Sequence, residues 1–313
     1  MEDIISPDIK RNPKRFFTFI KNRKCDNNGI SPLRDQGQIH IDDTSKANIL
    51  NRQFSSVFSK QDTFTPPLTG PRNIAMSDIN VDESGVRKLL KELNPFKASG
   101  PDGIQSRFLK ETSDEISTGL TLIFQASIHQ ATIPDDWRHA IIAPIYKTGK
   151  TDRAKAENYR PISLTSVSCK IMEHIMHSSI ISHLDKTGIL SDTQHGFRKR
   201  RSCESQLVLT INDFAKSLNE GQQLDTILLD FSKAFDKVDH RKLCIKLEHY
   251  GIRGKTLEWI KDFLKNRTQR VVINGKESSS ANVESGVPQG TVLGPLLFLV
   301  FINNLPERVK SSI

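Results

Sequence analysis

Cysteine is scarce in this sequence and is not arranged to pair. Cys25, Cys169, Cys203 and Cys244 lie far apart with no C-x-x-C spacing, so neither a zinc finger nor a disulfide framework is indicated, and a reducing compartment is expected. Long apolar runs are missing too. The longest, "VLGPLLFLVFI" at 292–302, carries Gly294 and Pro295 and is too short to cross a bilayer; a buried helix fits it better, and no membrane partner is expected. The opening "MEDIISPDIK" has no basic-then-apolar run, so no secretory signal is expected. Internal repeats and low-complexity tracts are absent as well. What is present is the composition of a soluble globular protein, with 45 Lys and Arg against 36 Asp and Glu and a net charge of +9. That excess is compatible with a polyanionic partner. The 313 residues suffice for a sizeable core and for one large or two ordinary domains.

Residues 1–80 are polar and punctuated by Pro and Gly, with amphipathic pieces at "NPKRFFTFIKNR" and "KANILNRQFSSVFSK". In the second piece Ile49, Leu50, Phe54, Val57 and Phe58 recur at helical spacing. "TPPLTGPRN" (65–73) reads as a linker, and the texture changes after it. "VDESGVRKLLKEL" predicts a helix capped by Asp82. Further helices are predicted at 104–130, at about 167–185, over "LVLTINDFAKSLNEG", from His240 to about His249 with Asp239 as cap, and over "LEWIKDFLKNR". Strands are predicted at "HAIIAPIYK" (139–147) and "TILLD" (226–230). In "TQRVVINGKESSS" the Asn274-Gly275 pair joins two extended runs as a hairpin does. Many helices with short scattered strands make the fold class α+β.

The stretch "TILLDFSKAFDKVDH" (226–240) concentrates carboxylates. Asp225 bounds the predicted strand, and Asp239 suits a helix cap. Asp236, three residues before it, has no firm role. Asp230 would be delivered by the strand at its C-terminal end, where desolvating a carboxylate is costly unless a cation meets it. An Arg or Lys partner and a divalent metal both satisfy that demand. His174, His177 and His183 share one predicted helix, and ordinary half-exposed helix positions explain them better than a metal site does.

"LLDFSKAFDKVDH" resembles the first catalytic motif of reverse transcriptases, most closely those of non-LTR (LINE-type) retrotransposons. "KASGPDGI" (97–104), "PIYKTGK" (144–150), "NYRPISL" (158–164), "QHGFRKRRSCESQL" (194–207) and "SGVPQGTVLGPLLFLVFINNLP" (285–306) resemble further motifs of that family in the same order. The resemblance implies a right-hand polymerase fold, with fingers, a partial palm and no thumb. It divides the chain into an N-terminal extension (1–80) and a reverse transcriptase domain (81–313). The implied activity is RNA-directed DNA polymerisation: nucleotidyl transfer of deoxynucleotides onto a DNA primer along an RNA template, assisted by two metal ions.

In this resemblance Asp230 ligates both ions and the backbone carbonyl of Phe231 completes one shell. Magnesium is expected from the hard oxygen donors, with manganese as the alternate ion, and no redox cofactor is implied. Arg160 would grip the triphosphate through its planar fork, with Lys147 as a second phosphate contact and Lys150 its neighbour. Phe235 would lie beneath the incoming sugar and exclude a 2′-hydroxyl. Gln289 and Gly290 would pack against the template base and nucleotide. Arg198, Lys199 and Arg201, within "RKRR", read as nucleic-acid contacts, a nuclear-import signal or a solvated run. An intracellular address follows, in the nucleus or a cytoplasmic ribonucleoprotein.

The family's second acidic pair has no match before the sequence ends. "IDDT" (42–43) lies upstream of the domain and "PDDW" (135–136) begins another motif. The expectation is therefore a domain inactive alone, because one carboxylate does not hold two ions rigidly. A catalytically dead nucleic-acid-binding relic is the alternative. An RNA-templated RNA polymerase is the third reading, and Phe235 argues against it.

Overall fold

The structure, a computed structural model, describes residues 29–59, 63–66, 68 and 70–308. The "NPKRFFTFIKNR" piece, Cys25 and Lys60 lie outside the described residues, as do two positions in the 65–73 linker.

Strands β1 (Leu33–Asp35) and β2 (Gln38–His40) form a small antiparallel ribbon and lead into helix α1 (Asp43–Ser55). Helices α2 (Glu83–Lys91), α3 (Ser106–Glu111) and α4 (Ser113–Gln130) precede strands β3 (His139–Tyr146) and β4 (Tyr159–Leu164). Then come α5 (Val167–Lys186), α6 (Cys203–Asn219), α7 (His240–His249) and α8 (Gly254–Leu264). Strands β5 (Thr268–Ile273), β6 (Lys276–Glu277) and β7 (Ala281–Asn282) and helix α9 (Leu293–Ile302) follow.

Local signals placed most of these boundaries. Asp82 accepts from the Gly85 amide at 2.8 Å and Asp239 from the Lys242 amide at 2.8 Å, so each satisfies one of the free donors at a helix start. The β5–β6 hairpin turns on Asn274 and Gly275, at φ 49° and 76°, as a turn with two left-handed residues requires. The helix predicted over 104–130 is divided at Thr112, which leaves helical geometry while its hydroxyl bonds back to the Phe108 carbonyl at 2.8 Å. Val57 and Phe58 fall beyond the end of α1.

The main sheet runs β4-β3-β5-β6, with β7 also on β5. β3 pairs antiparallel with β4 and parallel with β5. Helix α1 covers one face: Ala47, Leu50 and Phe54 pack with Ala140, Ile142, Tyr159 and Val271. A second core, built of helices, is centred on α5, where Ile171, Met172, Met176, Ile180 and Leu184 meet Trp259, Phe263 and Leu297. Each such buried side chain contributes roughly 1.5–3 kcal/mol. The 292–302 run is indeed a buried helix, and among the described residues no helix is long and apolar enough to cross a membrane.

"TILLD" is not a strand: residues 222–231 form no regular secondary structure, and Ile227, Leu228 and Leu229 are 83%, 91% and 79% exposed. A strand exists only through a neighbour that takes its amides and carbonyls, and none of the described strands pairs with this segment. Helix α6 just before it forms without help, since its turns close on themselves and Ser202 and Ser205 make a capping box. Yet α6 buries no residue and leaves Leu207, Val208, Leu209, Ile211 and Leu218 exposed.

Candidate active site

The β3–β4 hairpin brings two cations to one end of the sheet. Arg160 stands on β4 opposite Ile145, with its side chain exposed. Lys147 follows β3; its amide bonds the Asn158 carbonyl at 2.8 Å and its Nζ the Glu157 carbonyl at 2.5 Å. A third cation, Lys233, comes from the 232–237 turn, whose left-handed φ of 55° falls on Lys233 itself. Burial pushes the Lys147 ammonium below its usual range, and the charges of Lys233, Arg160 and Lys150 push it the same way. Mutual repulsion of this kind is relieved by a bound anion.

The 285–291 loop is clamped beside this group from both sides. On one side the Ser163 amide of β4 donates to the Gln289 carbonyl at 2.7 Å. On the other, the Val287 amide donates to the Phe235 carbonyl at 2.9 Å and the Ser285 hydroxyl to the Asp236 carbonyl at 2.7 Å. The Gln289 side chain donates to Asp236 Oδ1 at 3.0 Å. Burial raises the Asp236 carboxyl above its usual range, against the pull of Gln289, Lys233 and Lys147. Gly290, at φ 103°, approaches β4 so closely that a Cβ would lie 2.8 Å from the Ser163 carbonyl oxygen. The Phe235 ring stacks on Phe298, with centroids 4.7 Å apart, and meets Phe197 edge-on at 5.7 Å.

The structure thus places Lys147 and Arg160 on the β3–β4 hairpin, Phe235 in the 232–237 turn, and Gln289 and Gly290 in the loop hydrogen-bonded to both β4 and that turn. Asp230 and Phe231 stand on the exposed segment just before the 232–237 turn, and among the described residues Asp230 makes no hydrogen bond or ion pair. Their oxygens are of the kind that magnesium prefers. The described residues nevertheless hold no group of three or more His, Cys, Asp or Glu able to bind a metal. The donors match such an ion in kind, but among the described residues they do not complete a site.

Two of the three arginines of "RKRR" bond within their own loop. Arg198 donates to the Ser191 carbonyl at 2.7 Å and lies 3.7 Å from Asp185; Arg201 bonds Asp192 Oδ1 at 2.6 Å. These bonds knit the 190–201 loop together. Lys199 and Arg200 point outward. His183 binds the Tyr250 carbonyl at 2.8 Å, consistent with its ordinary helix role.

A family model for reverse transcriptase (RNA-dependent DNA polymerase) matches residues 145–313, a span that holds Lys147, Arg160, Phe235, Gln289 and Gly290. The chain belongs to the reverse transcriptase family. The domain is 32% identical over 236 residues to the RNA-directed DNA polymerase from mobile element jockey of Drosophila melanogaster, covering 75% of this chain and 25% of that protein. It is 32% identical over 211 residues to the probable RNA-directed DNA polymerase from transposon X-element of the same species, covering 67% and 23%. It is 30% identical over 240 residues to the probable RNA-directed DNA polymerase from transposon BS, also of that species, covering 75% and 25%. The chain therefore spans about a quarter of the length of these curated relatives. The non-LTR resemblance carried by the motifs agrees with these matches, and reverse transcriptases generally use divalent metal ions.

Three residues that build this candidate site escaped the sequence reading. Lys233 and Asp236 lie inside the recognised "SKAFD", but only the folded turn shows one facing the cations and the other holding Gln289. Glu173 left a plainer signal: an acid on the buried stripe of α5, beside Cys169, Met172 and Met176. Its Oε2 accepts the Val292 and Leu293 amides at 2.7 and 3.0 Å, and so anchors α9 behind the 285–291 loop.

Proposed function

We propose that this domain is the nucleotide-binding and nucleotidyl-transfer part of an RNA-directed DNA polymerase from a mobile element. It takes deoxynucleoside triphosphates, an RNA template and a DNA primer, and works in the nucleus or a cytoplasmic ribonucleoprotein. The observation that carries this reading is the convergence of Lys147, Arg160 and Lys233 beside the clamped Gln289 loop. β3, β4 and the helices before and after them correspond to fingers, and the 232–304 region to part of a palm.

Each group has a physical task. Arg160 offers a planar fork to two phosphate oxygens, and Lys147 and Lys233 add point charges. Phe235 is fixed by Phe298 and Phe197, so its ring cannot yield to a 2′-hydroxyl. Asp236 fixes the amide of Gln289, which keeps the loop's outer edge in one orientation. When bound, divalent ions, with magnesium as the expected species and Asp230 and the Phe231 carbonyl among the ligands, would activate the primer hydroxyl and neutralise pyrophosphate.

Binding of dTTP to the chain, followed by calorimetry, tests the phosphate grip. Arg160→Ala is expected to weaken it roughly tenfold to a hundredfold, the worth of charge-assisted hydrogen bonds. Arg160→Lys restores only part of that, since the fork is lost. Unchanged affinity in Arg160→Ala at an unchanged unfolding midpoint would remove the triphosphate assignment. In the same assay Phe235→Ala is expected to narrow the preference for dTTP over UTP. It should also lower the unfolding midpoint, because a ring between Phe197 and Phe298 is deleted. An unaltered preference would rule out Phe235 as the sugar gate.

A further inference from the structure

We infer that the 94–105 loop is a contact for single-stranded RNA, with Phe96 as a stacking platform and Lys97 and Lys170 as phosphate contacts. The inference rests on the reading of the domain as an RNA-copying polymerase and adds a site to it.

An exposed apolar side chain is ordinary by itself. Phe96 differs because its side chain is 92% exposed on a backbone that is firmly held. The Phe96 amide donates to Asn94 Oδ1 at 3.0 Å, and the Lys97 amide to the Asn94 carbonyl at 3.3 Å. Lys110 Nζ ties down the Leu93 carbonyl at 3.0 Å, and Gly103 donates to Gly100 at 3.1 Å. Gly100 seats the loop against the β4–α5 junction: a Cβ there would lie 2.6 Å from the backbone of Thr165 and Ser166. The ring is thus presented from a fixed scaffold, which keeps the ordering cost of a contact low.

That junction also determines what lies beside the ring. Ser166, Lys170 and His174 succeed one another at i, i+4 spacing along one side of α5. Burial, and after it the charge of the nearby Lys97, holds both Lys170 and His174 below their usual ranges. Set against these cations are Glu92, which acts on His174, and Glu173, whose carboxylate is buried and turned to α9. An outward aromatic ring next in sequence to Lys97, on a loop seated against the start of the helix that carries Lys170, suits a base and its phosphates. An apolar protein partner would have to desolvate those lysines. Stacking needs an unpaired base, which selects single strands over duplex.

Fluorescence anisotropy of a short labelled single-stranded RNA with the full chain tests this. Phe96→Ala is expected to weaken binding roughly tenfold, and Phe96→Trp to preserve it. Lys97→Ala should weaken binding and flatten the dependence of log affinity on log salt by about 0.7. Phe96 and Lys97 are exposed, so unchanged unfolding midpoints serve as the control. Wild-type affinity in Phe96→Ala would overturn the proposal, as would duplex RNA competing as well as the single strand. In either case dTTP binding and its loss in Arg160→Ala would stand, so the polymerase reading would survive. A wild-type chain that binds no RNA would overturn both this site and the RNA-template part of that reading.

Discussion

Replacing Glu173 by alanine is expected to lower the free energy of unfolding by about 3–5 kcal/mol, the range seen when one member of a buried ionic arrangement is deleted. Glu173 is fully buried, and its Oε2 alone satisfies the first two amides at the head of α9. Alanine leaves one buried and one half-buried donor without acceptors, the buried one costing about 1–3 kcal/mol, and also a cavity. It further strips the nearby Arg267, which is 2% exposed, of a favourable charge. Chemical denaturation of the two proteins measures the difference; a loss below about 1 kcal/mol, the worth of an ordinary hydrogen bond, would contradict the anchoring role.

Glu173→Gln separates the hydrogen bonds from the charge. One amide oxygen can accept from both Val292 and Leu293, as Oε2 does now, so the glutamine variant should retain most of the stability. It should also lose a pH dependence. Burial raises the Glu173 carboxyl above its ordinary 4.5, outweighing the pull of the two amides and Arg267. The folded state therefore holds the proton more tightly than the unfolded one. Its contribution is fully present below pH 4.5 and lost as pH rises through the folded value. The stability of wild type minus that of Glu173→Gln should accordingly fall from acid toward neutral pH. Subtraction is needed because Asp42, Asp82 and Asp114, whose carboxyls are lowered by hydrogen bonds, give the opposite slope in both proteins. A flat difference would mean that Glu173 titrates alike in both states.

What the sequence made legible follows from how local each feature is. Asp82 and Asp239 cap their helices with amides three residues on, and Asn274-Gly275 turns its hairpin through its own φ angles. No distant part of the chain is needed for either. The "TILLD" run carries an equally strong apolar signal, but that signal expresses a demand for a neighbouring strand. Among the described residues the demand is unmet, and Leu228 faces solvent. In the candidate site, Arg160, Lys147, Phe235, Gln289 and Gly290 could be named from the sequence because motifs fix residue types at set positions. The pairing of Asp236 with Gln289 spans 53 positions in sequence, and the commitment of Arg198 and Arg201 to Ser191 and Asp192 depends on how one loop closes. Neither leaves a periodicity or a spacing to read.

Gly286→Ala is expected to damage the nucleotide site more than any of the changes above. Gly286 sits at φ 88°, donates to the Val238 carbonyl at 2.8 Å, and accepts from His240 Nε2 at 2.7 Å. A Cβ on it would lie 2.7 Å from the Phe235 oxygen and 2.8 Å from Asp236 Cα and its oxygen. All three obstacles are backbone atoms, and the Val287 and Ser285 bonds to Phe235 and Asp236 hold them there. Left-handed strain adds roughly 1–2 kcal/mol and forced repacking roughly 1–3 kcal/mol, so a total of about 2–5 kcal/mol must be absorbed. The cheapest relief is to move the loop off the 232–237 turn, which would carry Gln289 away from Asp236 and the cations. The variant should therefore lose dTTP binding at temperatures where its circular dichroism is still that of a folded protein. Gly275→Ala provides the comparison: φ there is 76° with nothing within 4 Å of a Cβ, so it incurs only the roughly 1–2 kcal/mol of strain. If the two alanines lower the unfolding midpoint equally and leave dTTP affinity alike, the close approach of the loop to Phe235 and Asp236 is not what holds the site together.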